Sequence, residues 1–357
     1  MHMISRQLLF FSLVILFAAV SCKKNDNQNV VPNYYTGSGT AGDVLSFTVN
    51  ESAMGYTIFN ESNRRYTNGS FTIYSGELNG LYKVFTNGAF YYAVEIPGQV
   101  FTGNFPTARL NNNMAFGVSM LANADGARMA GNYVYLHIGN SAVNGSTQNR
   151  EWGILTMMAD GSWLKQGYCN MAGVLPGLMP DEYTGTVPPP SPSDTGSWSV
   201  DPIYPDRLRM NQMNVVDTLT GFSHVGDSGA VFVMDMGFGR GFLIGLRLFD
   251  GNQNTLKGSY GYADVRYDAA TGGGKFAVSD STGMIDWWRG DSYGKIRNGT
   301  FEALTQSPVL KNVYYAKNVL FYGDLVDIYT IVSGPFFMEF QFQNNKFRSY
   351  GTGGRLP

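Results

Sequence analysis

Nucleophile chemistry is the first reaction class that the sequence raises. His224 stands two residues before Gly226-Asp227-Ser228-Gly229. An activated serine needs a histidine base from elsewhere in the fold and an acid to orient it. Apart from His2 the only other histidine is His137, mid-strand in YVYLHIG. The slot of Asp227-Ser228-Gly229-Ala230 also returns as Thr86-Asn87-Gly88-Ala89 and Val332-Ser333-Gly334-Pro335, so a turn leading into a strand accounts for it. Asp250-x-Asn252-x-Asn254 begins like a calcium loop, yet Thr255 and Gly261 stand where the sixth-position glycine and twelfth-position glutamate belong. Gly272-Gly273-Gly274-Lys275 runs on into Phe276 without phosphate-loop spacing and reads as a turn. Two histidines and Cys169 offer transition metals little to bind. Neither a metal nor a cofactor is expected.

Carboxylate pairs need only two acids at a suitable separation. Glu95, Asp235, Asp286, Glu302 and Glu339 lie on expected strands, where alternation lets them face solvent. Met284-Ile-Asp-Trp-Trp-Arg-Gly is the notable aromatic stretch. Adjacent strand residues face opposite sides, so Trp287 and Trp288 cannot share one buried face. In the register of the repeat described below, Ile285 matches Trp163, which turns Trp287 inward and Trp288 outward. Trp288, flanked by Asp286 and Arg289, is then a candidate ligand-binding surface for a sugar or a protein.

The elements that must carry these residues are strands. From Asp43 onward the runs LSFTV, GYTIF, SFTIY, LYKVF and FYYAVEI follow at short spacing, the pattern of antiparallel meanders. Asn-Gly at Asn68, Asn79, Asn87, Asn144 and Asn298, and Asp-Gly at Asp125, Asp160 and Asp250, suit the positive φ of hairpin turns. FGVSMLANADGARMAGNYVYL, from Phe116, returns in degraded form as IGLRLFDGNQNTLKGSYGYA from Ile244. The repeat extends through Gly88 with Gly229, Gly117 with Gly245, Gly131 with Gly258, Gly153 with Gly274, Gly161 with Gly283 and Gly196 with Gly299. Gly334-Pro-Phe-Phe-Met-Glu-Phe resembles Gly229-Ala-Val-Phe-Val-Met-Asp as a closing strand. The fold class is therefore all-β, with two tandem meander units that close into barrels or flattened sandwiches. The expected divisions are a signal at 1–22, a tether at 23–42, a first domain at 43–212, a second at 213–347 and a tail at 348–357. The proline-rich stretch at 187–195 is read as a loop within the first domain, with an interdomain linker as the alternative.

Residues 1–22 supply Arg6, the apolar run Leu8 to Val20, and Ala19-Val20-Ser21-Cys22. This resembles the lipobox of bacterial lipoproteins, although Ala19 stands where that pattern prefers a larger aliphatic residue. The resemblance implies cleavage before Cys22, lipidation of its side chain, and attachment to the cell envelope, with the outer membrane as the expected site. Acyl chains contribute about 0.8 kcal/mol per buried methylene. Cleavage removes Arg6 and no acid, leaving 24 basic against 27 acidic side chains, a balance that gives nucleic acid no footprint. With Cys22 lipidated, Cys169 has no intrachain partner. Aromatic content of 14%, charge of only 15% and 44 glycines fit a β-protein with many turns. The favoured function is a non-enzymatic envelope lipoprotein that binds a glycan or other amphipathic ligand on aromatic-bearing surfaces. The alternatives are a carboxylate-dependent glycan hydrolase and an assembly lipoprotein that contacts another envelope protein. Labelled palmitate should enter the wild type and not Cys22→Ser; equal labelling of the two would remove the lipoprotein reading.

Overall fold

The computed structural model describes residues 33–106, 113–119, 126–139, 150–170, 177–186, 194–213, 216–226, 229–248, 256–266, 271–279, 282–321, 323–343 and 346–356. Asn33–Pro357 form one compact unit. The fold is all-β, and the one helix among the described residues is the four-residue α1 (Gly126–Met129).

The strands form three antiparallel meanders. The first comprises β1 (Asn33–Gly39), β2 (Val44–Asn50), β3 (Gly55–Asn60), β4 (Arg65–Ser70), β5 (Thr72–Ile73), β6 (Tyr82–Thr86), β7 (Ala89–Ile96), β8 (Val100–Phe105) and β9 (Asn113–Ser119). The second comprises β10 (Gly131–Ile138), β11 (Arg150–Met157), β12 (Ser162–Asn170), β13 (Asp194–Val200), β14 (Leu208–Gln212), β15 (Thr218–Val225), β16 (Ala230–Asp235) and β17 (Phe242–Arg247). The third comprises β18 (Gly258–Arg266), β19 (Thr271–Val278), β20 (Ile285–Asp291), β21 (Ile296–Phe301), β22 (Thr305–Gln306), β23 (Val313–Phe321), β24 (Asp324–Ser333), β25 (Phe336–Gln343) and β26 (Lys346–Arg355). In each, the first strand pairs with the last: β1 with β9, β10 with β17, β18 with β26. The middle sheet is a closed barrel. In the outer two, the edge strands β4 and β5, and β21 and β22, follow each other in the chain, which curls each sheet round on itself.

The repeat register holds in the ladders. Tyr135 pairs with Gly153 and Gly245, and Tyr262 pairs with Gly274 and Gly353. Gly161 and Gly283 both take positive φ in the following turn. Gly37 against Gly117 is the same position in the first meander, so the unit occurs three times. Gly88 precedes the third strand from the end of its sheet, whereas Gly229 and Gly334 precede the second from the end. Gly334 therefore opens β25 and the closing strand is β26.

Several expected boundaries move. Residues 33–39 are β1, and Ala41 behind it is fully buried, so the fold begins inside the expected tether. The expected division at 212/213 falls at the end of β14, inside the barrel, while the sheets change between β9 and β10 and between β17 and β18. The expected tail from 348 is most of β26, and its last residues match Gly245-Leu-Arg-Leu as Gly353-Gly-Arg-Leu. Of the stretch 187–195, residues 187–193 lie outside the described residues, and 194 and 195 open β13, which pairs with β12. Asn68 and Asn298 lie in β4 and β21 instead of turns. Their glycines receive aromatic rings, Tyr56 over Gly69 and Trp287 over Gly299.

Packing explains the long apolar runs. Each sheet has its own interior cluster. The outer faces of all three meet in a further core that contains Phe116, Trp152, Ile244, Tyr329 and Phe340. Strands buried on both faces cannot alternate apolar with polar, and β8, β16 and almost all of β25 are buried throughout. First and third sheets also interlock. Tyr92 of β7 sits where side chains on Gly273 and Gly290 would be, and its hydroxyl donates to the Asp291 carbonyl at 2.9 Å. This corrects Gly272–Gly274, which form the middle of β19 and no turn.

A Cβ on Gly353 would lie 1.8 Å from the Gly261 carbonyl oxygen. Gly353→Val should therefore force the closing seam apart and cost about 3 kcal/mol or more in urea unfolding. A loss near zero would show that β26 does not close the sheet.

Candidate functional site

Strand alternation places the two tryptophans as the sequence implies, but the surrounding sheets change what that means. Trp287 is 4% exposed in the third-sheet interior, its ring 4.4 Å from that of Phe321. Trp288 points to the other face, and the first sheet covers part of it. It is half-buried against the cluster of Leu78, Leu81, Tyr92, Val94 and Leu356, with Lys275 Nζ 5.8 Å from its ring centre. Asp286 shares that face and accepts a bond from Thr300 Oγ1 at 2.7 Å. Arg289 shares the Trp287 face, is 3% exposed, and grips Asp264 through Nε at 2.7 Å and Nη2 at 3.1 Å. Trp288, Asp286 and Arg289 thus do not converge: two lie on one face of β20 and the third is buried on the other.

Three of the five acids are buried, against the expectation of solvent-facing alternation: Glu95 and Glu339 inside their own sheets, Asp235 between the barrel and the first sheet; Glu302 follows β21 and lies in no strand. Glu95 and Asp235 have donors beside them, whereas the Oε2 of Glu339 has none. Glu95 accepts from Asn33 Nδ2 at 2.7 Å and from the Tyr35 and Tyr82 hydroxyls at 2.5 Å. Tyr82 also lies 2.5 Å from Glu51 Oε1, and one phenol proton cannot serve two carboxylates at once. Glu51 and Glu95 thus meet at one hydroxyl. Burial raises both tyrosine hydroxyls well above their ordinary range, and the neighbouring glutamates add to the effect. Asp235 accepts from Ser38 Oγ at 2.7 Å, and burial pushes it up to about 6. Glu339 is fully buried and pushed up to about 8, first by burial and then by the charge of Asp264. Gln341 Nε2 donates to Glu339 Oε1 at 3.0 Å. The sequence signal was available: Phe336-Phe-Met-Glu-Phe-Gln-Phe is apolar on both sides of the acid. Asp286 is half-exposed and Glu302 exposed.

One recess lies where the first and third sheets meet. It is a cleft of about 600 Å³, lined by Glu95, Ile96 and Pro97 on one side and by Ser259, Pro335, Arg355 and Leu356 on the other. Its size falls in the range of small-molecule sites. Arg355 Nε would lie 3.1 Å from a Cβ on Gly258, so the absence of a side chain there leaves room for the guanidinium. Arg247 lies over Gly131 in the same manner. The sequence repeat marks these positions; nothing in it marks the cleft, which depends on how the sheets meet.

The discarded motifs stand as follows. Gly226 N–H bonds the Gly229 carbonyl at 2.8 Å between β15 and β16, while Asp227 and Ser228 lie outside the described residues. His137 is half-buried with Nε2 2.8 Å from the Arg240 carbonyl, and desolvation lowers its pKa. His224 packs edge-on to Phe336. The Asp250 stretch, Cys22 and the side chain of Cys169 lie outside the described residues. Among the described residues no group of three His, Cys, Asp or Glu side chains is placed to hold a metal ion, and no helix is long and apolar enough to cross a membrane.

No family model matches the chain, and no curated protein matches it. Among solved structures it is similar to a protein of unknown function of the DUF3598 family from Nostoc punctiforme. The identity is 8%, the match covers 64% of this chain and 97% of that one, and the TM-score is 0.22, too low to carry an argument.

Folding takes the Glu339 carboxyl from an ordinary 4.5 up to about 8. Between those values the folded state keeps a proton that the unfolded state releases, so stability from this group is full below about pH 4.5 and is lost as pH rises to about 8. The loss is on the order of 3–5 kcal/mol. Glu339→Gln, an isostere of the protonated acid, should flatten the decline in melting temperature between pH 5 and 8. An unchanged slope would place the titration on another group.

Proposed function

We propose that the protein is an envelope lipoprotein, anchored through Cys22, whose three joined meanders hold a small amphipathic ligand in the cleft between the first and third sheets. The observation that carries this reading is the cleft itself. A carboxylate from one sheet and a guanidinium from another face a recess whose remaining walls are largely apolar. Ile96, Pro97, Pro335 and Leu356 suit the carbon face of a sugar or an acyl stem, while Glu95, Ser259 and Arg355 suit hydroxyl groups. A glycan remains the favoured ligand class, with its place moved from Trp288 to the cleft. Trp288 lies in the same packing cluster as Leu356, so its fluorescence is a natural reporter.

Glu51 and Glu95, which share the Tyr82 hydroxyl, support a second reading, a glycan hydrolase, because glycoside cleavage uses two carboxyl groups. Two measurements on one panel of envelope glycans separate the readings. Binding by calorimetry should be seen in the wild type and be lost in Ser259→Trp, which fills the cleft from a half-buried position, with little change in melting temperature. No binding, or binding unaffected by Ser259→Trp, would count against the cleft. Release of reducing ends that disappears in Glu95→Gln would establish the hydrolase instead.

A further inference from the structure

Two hairpin turns meet where the first and third sheets join, and they carry aromatic rings outward. Asn87 and Gly88 both take positive φ in the β6–β7 turn. Phe85 stands directly opposite Phe90 across it, with ring centres 4.7 Å apart. The β20–β21 turn lies alongside. Phe90 N–H donates to the Ser292 carbonyl at 2.8 Å, and the Phe90 ring takes the space that a side chain on Gly294 would need. Asp291 Oδ1 accepts the N–H groups of Tyr293 and Lys295, each at 3.0 Å, so the turn that presents Tyr293 is itself held in shape. Phe85 is 62% and Tyr293 87% exposed. Large rings kept in water on braced turns are the mark of a contact surface.

Lysines lie among these rings. Lys83 Nζ is 4.1 Å over the Phe90 ring and 4.8 Å over that of Tyr74, and Lys275 Nζ is 5.8 Å from the Trp288 ring centre. Tyr74, Phe90 and Trp288 are half-buried against one cluster and form the base of the surface. Lys295 is exposed two residues beyond Tyr293, while Asp286 on the same hairpin accepts a bond from Thr300. Exposed rings beside lysines whose stems lie along aromatic faces suit a membrane–water boundary: the rings enter the edge of the acyl region and the ammonium groups stay with the phosphates.

Reach favours a bilayer over other partners. Cys22 precedes Asn33 by eleven residues, a span of at most about 40 Å. Asn33 bonds Glu95, which is five residues from Phe90 on β7 and so roughly 17 Å from it along the strand. A lipid on Cys22 therefore brings the turns within reach of the same bilayer, and the second contact forms within one molecule.

We propose that the paired turns of β6–β7 and β20–β21 form a membrane-docking tip, in which Phe85 and Tyr293 enter the lipid interface and Lys83, Lys275 and Lys295 meet anionic headgroups. The proposal rests on the Cys22 anchor and is separate from the cleft, which Glu95 and Ile96 line at the opposite end of β7.

The test places the mature lipidated protein in vesicles of equimolar phosphatidylethanolamine and phosphatidylglycerol with brominated acyl chains, which quench tryptophan on contact. One variant is Tyr293→Trp; the other is Tyr34→Trp, at a site that is 50% exposed on β1. Wild-type emission is subtracted from each. Tyr34 is much nearer the anchor in sequence, so anchoring alone would quench Tyr34→Trp at least as strongly. Docking predicts the reverse: the emission added by Tyr293→Trp is mostly lost and that added by Tyr34→Trp mostly kept. Phe85→Ser, an exposed substitution that the fold tolerates, should restore most of the lost emission. Lys83→Gln should lower the ratio of docked to undocked protein about fivefold. Equal quenching at the two positions, stronger quenching of Tyr34→Trp, or quenching of Tyr293→Trp that survives Phe85→Ser would overturn the proposal. A blue shift of the Tyr293→Trp emission without quenching would assign the surface to a protein partner and overturn the lipid assignment. Protein that leaves the vesicles altogether would remove the anchor, and the proposal with it.

Discussion

The pairing of first strand with last is the constraint on which the other features depend. Each meander would otherwise end in two open edges, and an open edge invites pairing with other chains. Closure requires two backbones to come together where side chains would keep them apart. In the first and third sheets this is met by Gly37 against Gly117 and by Gly353 beside Gly261, positions at which a Cβ would strike a carbonyl oxygen of the facing strand. The seams of the middle and third sheets bring Arg247 over Gly131 and Arg355 over Gly258. Arg355 reaches the cleft because β26 completes its sheet.

Three closed or curled sheets packed side by side leave little free surface on their outer faces. The shared core joins residues from all of them, and Tyr92 and Asn104 bridge the first sheet to the third. Asn104 Nδ2 donates to the Asp264 carbonyl at 2.7 Å while its Oδ1 accepts from the Tyr92 N–H at 2.8 Å. A broad aromatic face open to ligand is not available at Trp288. A recess instead forms where sheets abut, as in the cleft. The acids follow the same logic: an inward carboxyl is tolerated only with donors around it or a proton on it, and Glu95 and Glu339 illustrate the two cases.

Strand content, hairpin order and the phase of the repeat were legible in the sequence, since Gly117, Gly131, Gly153 and Gly161 match Gly245, Gly258, Gly274 and Gly283 in the ladders or turns. The third copy was hidden because its seam reads Gly-Thr-Gly-Gly-Arg, too poor in apolar residues to resemble a strand and needed in that form for close approach. Alternation assigned Trp287 and Trp288 to the correct faces. It could not show that the first sheet would cover Trp288, nor was it applied to Arg289, which shares the inward face two residues beyond Trp287. The cleft has no local signature, because its walls are some 160 to 260 residues apart in the chain.

Hydrogen exchange at Gly351, Thr352, Gly353, Gly354 and Arg355 tests the central claim most directly, since these amides lie in the strand that closes the third sheet and ends at the cleft. Closure predicts that they exchange as slowly as the amides of Tyr262 and Ala263 on the facing strand, through opening close to global unfolding. Exchange within seconds, at the rate of a frayed terminus, would contradict it.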